Sequence, residues 1–282
     1  MTNAFIHPNA TFVTDDGDDL YIEKWLYILG NISYGAKEEI IVKGNLTVEV
    51  QEFNAGLLKV EEEAEMHVVG NYIFPLNVTK FSIFGKFVSG IINITGIEVF
   101  TVGEDGVIEM DPVDTDMNLG HTFDNSGEVY LQRAISMVNP CYRFAIDGGG
   151  KLIWPGLANI TMECNEIYIN GLFKPGTINF GEGALIFKIG KSADFEFTAN
   201  GPILTNSFWA SGTTKIKNIA EFKSLNETDG RIALFYVDEG GKLYLNSESK
   251  PKQIDGIEVC FFIQISFSLK KNQEQAYYKI YI

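Results

Sequence analysis

Apolar and polar residues alternate through most of this chain in bursts of three or four, each burst broken by a small or acidic turn. The phrase FTVGEDGVIEM (residues 100–110) is one such pair of bursts. It returns as LKVEEEAEMHV (58–68), FAIDGGGKLIW (144–154), FKIGKSADFEF (187–197) and FYVDEGGKLYL (235–245). Successive side chains of a strand point to opposite sides, so this alternation predicts strands with one buried face. A second phrase interleaves with the first. IIVKGNL ends on Leu46, FSIFGKF on Phe87, FDNSGEV on Val129 and IYINGLF on Phe173, with Asn125 the one polar residue at an apolar place.

Aligned on the small turn residue, the two series merge into one ladder: Gly44, Ala64, Gly85, Gly106, Gly127, Gly150, Gly171, Ala193, Gly212 and Gly241. The intervals are 20, 21, 21, 21, 23, 21, 22, 19 and 29, the last swollen by an insertion around SLNETDG. A fixed period near 20 residues is the mark of a chain that winds, coil stacked on coil. The flanking residues fit that winding. Val42, Ile83, Val102, Ile146, Ile169, Ile189 and Val237 precede the turn; Leu46, Met66, Phe87, Ile108, Val129, Leu152, Phe173, Phe195 and Leu243 follow it. Stacked, they form continuous apolar columns. The small residue suits a corner that needs positive φ or a close backbone approach.

The fold expected is therefore all-β: a parallel β-helix, or β-solenoid, of about ten coils of about 21 residues with capped ends. Residues 1–39 are expected to hold an N-terminal cap and first irregular coils, 40–246 the solenoid, and 247–282 a C-terminal strand and tail. Within the first segment, LYIEKWLYILGN reads either as an amphipathic helix or as a further rung. A longer echo sets residues 58–94 against 144–180, as duplication of coils with two alternating turn lengths would produce. That double unit of about 43 residues is also the length of a β-propeller blade, which is the alternative architecture, with a β-sandwich array behind it. The half-period favours the solenoid, because successive turns share the same flanking pattern.

From about Thr11 to Leu245 the repeated phrase resembles the rungs of right-handed parallel β-helix proteins, among them surface adhesins and polysaccharide-degrading enzymes. The resemblance implies architecture and points to no single family. It suggests two functions. The first is a non-enzymatic extracellular or cell-surface module, a rigid solenoid presenting its faces to proteins or glycans. The second is a carbohydrate-active enzyme, a polysaccharide lyase or glycoside hydrolase.

The formal net charge of −15 sets both against nucleic acid and anionic membrane surfaces as partners. No stretch of the chain is long and apolar enough to predict membrane insertion, and the opening MTNAFIHPNATF lacks the pattern of a signal peptide. Seven N-x-[ST] sequons, at Asn9, Asn31, Asn45, Asn77, Asn93, Asn159 and Asn226, nevertheless point to a glycosylated extracellular surface. On that reading the chain is part of a larger secreted or membrane-anchored protein; the alternative is a cytoplasmic one. Cys141 and Cys164 each precede an equivalent strand position by three residues, which places them side by side on consecutive coils as a candidate disulfide.

Candidate chemistry is sparse. Asp111, Asp114, Asp116 and Asn118 in DPVDTDMNLGH form a candidate calcium loop that departs from the EF-hand spacing, and TDDGDD (Asp15, Asp16, Asp18, Asp19) is a lesser one. Calcium is the only cofactor suggested. The corner acids Glu61, Glu62, Glu63, Glu104, Asp105, Asp147, Asp238 and Glu239 recur on every second coil. Their spacing of about 10 Å is too wide for a retaining carboxylate pair, so they read as a solvated edge. The histidines His7, His67 and His121 are isolated, and no phosphate loop or nucleophile elbow occurs. No catalytic residues are assigned, and the reading leans away from an enzyme. Tyr130 and Tyr244 are the aromatics most suited to face a sugar.

Overall fold

The computed structural model describes residues 3–8, 10–13, 19–29, 31–33, 39–49, 53–69, 74–89, 92–95, 97–110, 117–130, 135–136, 141–153, 159–161, 163–179, 183–201, 203–217, 222–223, 234–238 and 241–246. They are organised in two compact units, Met1–Val138 with Lys151–Pro155, and Asn139–Gly150 with Gly156–Ile282. Both are parallel β-solenoids with coils of about 21 residues, and the described residues contain strands and no helix.

Each coil of the first unit runs up one strand, turns a corner, and runs along a second; a third side closes several coils. The pre-corner ladder stacks Leu20–Ile22, Glu39–Val42, the end of Phe53–Val60, the end of Phe74–Ile83, Val99–Val102 and Thr122–Asn125. The post-corner ladder stacks Asn3–Ile6, Trp25–Ile28, Asn45–Val48, Glu65–Val68, Lys86–Ser89, Val107–Met110, Glu128–Tyr130 and Lys151–Ile153. A third ladder joins the starts of the strands Phe53–Val60 and Phe74–Ile83 to Ile92–Thr95. All these pairings are parallel between segments a coil apart. That excludes the propeller, whose blades are antiparallel meanders.

The register carries the expected columns. Leu26, Leu46, Met66, Phe87, Ile108, Val129 and Leu152 lie over one another, all buried. Residues 20–28 belong to this stack. Trp25 points out and Leu26 in, so the stretch takes the rung option and not the helical one. Asn125 lies in the companion column of Ile83 and Val102 and is fully buried. Its amide is satisfied at both ends: Oδ1 accepts from the Gly127 N–H at its own corner at 3.1 Å, and Nδ2 donates to the Lys151 carbonyl of the next coil at 3.1 Å. A buried amide costs little when both its ends are paired.

In the second unit, Cys141–Ile146, Cys164–Ile169, Ala184–Ile189, Ile203–Ala210 and Leu234–Val237 form the pre-corner ladder. Leu172–Phe173, Asp194–Ala199, Thr213–Lys217 and Lys242–Asn246 form the post-corner one. Phe173 and Phe195 stack face to face at 5.5 Å, and the column then passes through Thr214 to Leu243. Thr214 is completely buried and its hydroxyl has no hydrogen-bond partner. A buried hydroxyl left unpaired forfeits its hydration, so Thr214→Val, which keeps the shape, is expected to stabilise the fold by about 1 kcal/mol. A rise in the urea midpoint at unchanged slope would register it.

The corners are of two kinds. Long corners at residues 61–64, 103–106, 147–150, 190–193 and 238–241 close with a hydrogen bond from the fourth residue's N–H to the first residue's carbonyl, as in Gly106 to Gly103 at 3.0 Å. Short two-residue corners lie at 23–24, 43–44, 84–85, 126–127, 170–171 and 211–212, and from 43–44 onward the two kinds alternate. This is the physical content of the double repeat. Positive φ is not what the ladder glycines supply, because among the described residues it occurs at Gly120, Gly183, Gly201 and Glu63. They supply space. From Gly44 to Gly171 the carbonyl of each small ladder residue accepts from the next coil, as Gly106 does from the Glu128 N–H at 2.8 Å, and successive corner backbones press together.

Candidate interaction face

The calcium candidates Asp111, Asp114 and Asp116 lie outside the described residues, as do Asp15, Asp16 and Asp18, while Asn118 is described only through its strand, Met117–Asn118. Asp19 is exposed and accepts from the Glu39 N–H at 3.3 Å. Of the corner acids, Glu62, Glu63, Glu104 and Asp105 are exposed. Among the described residues no three His, Cys, Asp or Glu side chains gather as a metal ligand set. His67 points outward and meets Glu65 at 2.9 Å.

The sequons divide by strand. Asn45 and Asn77 are exposed; Asn31, Asn93 and Asn159 sit in Asn31–Ser33, Ile92–Thr95 and Asn159–Thr161; Asn9 and Asn226 lie outside the described residues. Cys141 and Cys164 are in register on adjacent coils, buried, and joined by a disulfide with Cα atoms 4.4 Å apart.

The post-corner ladders carry ion pairs along their outer surface. In the first unit Lys151 and the Tyr130 hydroxyl both donate to Glu128, the latter at 2.6 Å. In the second, Lys217 meets Glu196 at 2.5 Å and Lys215 meets it at 3.8 Å. The hydrogen bond from Lys151 holds the Glu128 carboxyl below its ordinary 4.5, and the one from Lys217 does the same for Glu196. Because folding depresses both values, the stabilisation is fully present above the ordinary carboxylate range. It is lost as pH falls below 4.5 through the lowered folded values. Both groups face solvent, so a small, salt-screened decline is expected there, reduced further in Glu196→Gln and read from urea midpoints across pH.

The most distinctive surface is the outer side of the pre-corner ladder in the second unit. Tyr168, Lys188, Trp209 and Tyr236 occupy one outward row on four consecutive coils. Lys188 Nζ lies 5.5 Å from the Tyr168 ring centre and 5.6 Å from that of Trp209, a cation held between two aromatic neighbours. Trp209 meets Tyr236 edge-on at 5.1 Å. The rings are pinned at their polar ends. Trp209 Nε1 donates to Ser211 Oγ at 3.1 Å, Ser211 donates to Asp238 at 3.2 Å, and the Tyr236 hydroxyl donates to Asp238 at 3.3 Å. Burial pushes the Tyr168 phenol upward, and the nearby Asp147 charge adds to it.

Trp209 in this row is 38% exposed, and near it stand Tyr142 at 65%, Leu185 at 46% and Ile186 at 47%, with Glu166 and Ser207 in register on either side of Ile186. The matching outward row in the first unit reads Tyr21, Ile41, Lys59, Ser82, Thr101 and Asp124, mostly polar. Among the pre-corner rows the aromatic–aliphatic surface is thus particular to the second unit, while the exposed Phe5 and Trp25 of the first unit lie on its post-corner ladder, where Phe5 stacks on Tyr27. Tyr130, by contrast, is engaged with Glu128 on another ladder, and the side chain of Tyr244 is outside the described residues. The row through Trp209 has a signal in the sequence. Each member is the residue just before the last apolar position ahead of a corner, visible only when the coils are overlaid in register.

The fold defines the chain as a parallel β-solenoid repeat protein. No helix of the described residues is long and apolar enough to cross a membrane. Compared with known proteins, the chain matches no family model, no curated protein and no solved structure.

Proposed function

We propose that this chain is a non-enzymatic, extracellular structural and adhesion module whose second unit binds a partner protein through its pre-corner face. The observation that carries the reading is the exposed surface of Tyr142, Leu185, Ile186 and Trp209 around the Tyr168–Lys188–Trp209 stack. Exposed apolar side chains gathered on a folded surface favour interaction sites, and Trp, Tyr and Arg are enriched among the few residues that dominate protein interfaces. The aliphatic pair Leu185 and Ile186 favours a protein over a glycan, which recognises rings and polar groups and gains little from branched aliphatics. The pinned rings are already ordered, so little conformational entropy is lost on docking. The disulfide and the sequons support an oxidising, secretory location.

The test is retention on a panel of immobilised cell-surface and matrix proteins, run beside a glycan array and a polysaccharide-turnover screen. A protein ligand is expected, with Trp209→Ala weakening it by about 2 kcal/mol, roughly thirtyfold in Kd. Binding confined to glycans, or indifferent to Trp209 and Ile186, would contradict the assignment. Polysaccharide turnover lost in Asp114→Asn or Asp116→Asn would replace it with the carbohydrate-active reading.

A further inference from the structure

The sequons at Asn45 and Asn77 are carried on strands whose outward side chains include both the asparagine and the threonine two residues on. Asn45 opens the strand Asn45–Val48, and its side chain is exposed beside the buried Leu46, with Thr47 outward on the same face. Asn77 has the same arrangement in Phe74–Ile83: it is exposed, Val78 beneath it is buried, and Thr79 follows on the outer side. In both, the amide and the hydroxyl two residues on share one open surface, because alternate strand residues do. Trp25, in register with Asn45 on the neighbouring coil and 45% exposed, leaves ring surface for an attached sugar.

The placement of the sequons over the ladders is equally informative. No sequon lies in the strands of the second unit's pre-corner ladder, and in the first unit Asn77 sits in Phe74–Ile83 ahead of the part, from Lys80 on, that pairs in the pre-corner ladder. Oligosaccharides at Asn45 and Asn77 would project from the post-corner and third ladders of the first unit, leaving its pre-corner ladder bare.

We infer that Asn45 and Asn77 are N-glycan acceptors and that the pre-corner ladders are the glycan-free faces of both units. The inference rests on the extracellular reading above. The donor class is a polyprenyl-diphosphate-linked oligosaccharide. The side-chain amide nitrogen forms a bond to the sugar's anomeric carbon as that carbon's bond to the diphosphate oxygen breaks. The polyprenyl diphosphate leaves with the bonding electron pair, and the amide gives up one proton to a base of the transferase.

The full chain should be expressed behind a secretory leader in a eukaryotic host, and site occupancy read by enzymatic glycan release in heavy-oxygen water followed by peptide mass spectrometry. Asn45 and Asn77 are expected to be occupied. Thr47→Ala and Thr79→Ala, which leave each asparagine in place, should each remove one glycan's mass. Secreted, folded protein with both sites unmodified overturns the inference, whether or not other sequons carry glycan. The chain recovered from the cells that make it naturally separates the two readings. Glycan at both sites there supports both. Unmodified sites there, with both occupied in the secretory host, overturn the extracellular reading and leave the acceptor geometry standing.

Discussion

Replacing Phe195 with alanine is expected to destabilise the second unit by about 4 kcal/mol, among the larger effects that a single core truncation produces. Phe195 is buried and its ring meets three others: Phe173 at 5.5 Å, Phe187 at 5.9 Å and Phe197 at 4.8 Å. Its backbone is paired on both sides, to Phe173 and to Thr214. The coil cannot collapse into the vacated volume without breaking that register, so most of the cavity stays open. The expected record is a lower urea midpoint at unchanged slope. A change under about 1 kcal/mol would mean that the aromatic column does not bear the load assigned to it.

The second large effect is expected at a corner. A Cβ at Gly127 would stand 2.2 Å from the Gly106 oxygen and 2.3 Å from the Gly103 oxygen, both backbone atoms of the coil beneath. The Gly106 oxygen also accepts the Glu128 N–H, so the intruding methyl must displace a ladder hydrogen bond or push adjacent coils away from each other. Gly127→Ala is therefore expected to cost about 3 kcal/mol, at the upper end of what overpacking usually costs. Gly148→Ala is the control. Its added Cβ meets only the Asn170 amide nitrogen, at 3.1 Å on a side chain that can give way, and a near-neutral change is expected. Thermal or urea unfolding of the two variants side by side checks the contrast. Equal costs at both positions would show that glycine is needed for chain flexibility and not for close approach.

These two residues also mark what was legible in the sequence. Column and corner repeat every coil, and a feature repeated ten times can be read by overlaying the chain on itself. So the period near 21, the buried columns, the alternating corner lengths and the side-by-side cysteines could all be read from residue order alone. What glycine does at the corner could not. Positive φ and close approach leave the same residue type in the sequence, and only the carbonyl of the preceding coil distinguishes them. Asn125 shows the same limit: it breaks the apolar pattern, yet its amide is paired at its own corner and to the next coil.

The candidate interaction face was less legible for a different reason. Outward positions are not held to one residue type by packing, so Tyr168, Lys188, Trp209 and Tyr236 share no repeated letter. They become a surface only when the coils are placed in register. Single exposed aromatics such as Tyr130 look equally eligible in the sequence, although Tyr130 is tied to Glu128 on a different ladder.

Paired-cysteine cross-linking in the first unit tests the parallel winding most directly. Thr47 and His67 are in-register neighbours on adjacent coils, and Val88 is the next position on the same row. Mild oxidation should bridge Thr47→Cys with His67→Cys, whose Cα atoms fall within a disulfide's reach of roughly 4.4–6.8 Å. It should leave Thr47→Cys with Val88→Cys unbridged, two strand spacings or about 10 Å apart. Efficient bridging of the second pair, with the first remaining reduced in folded protein, would contradict the stacked parallel coils.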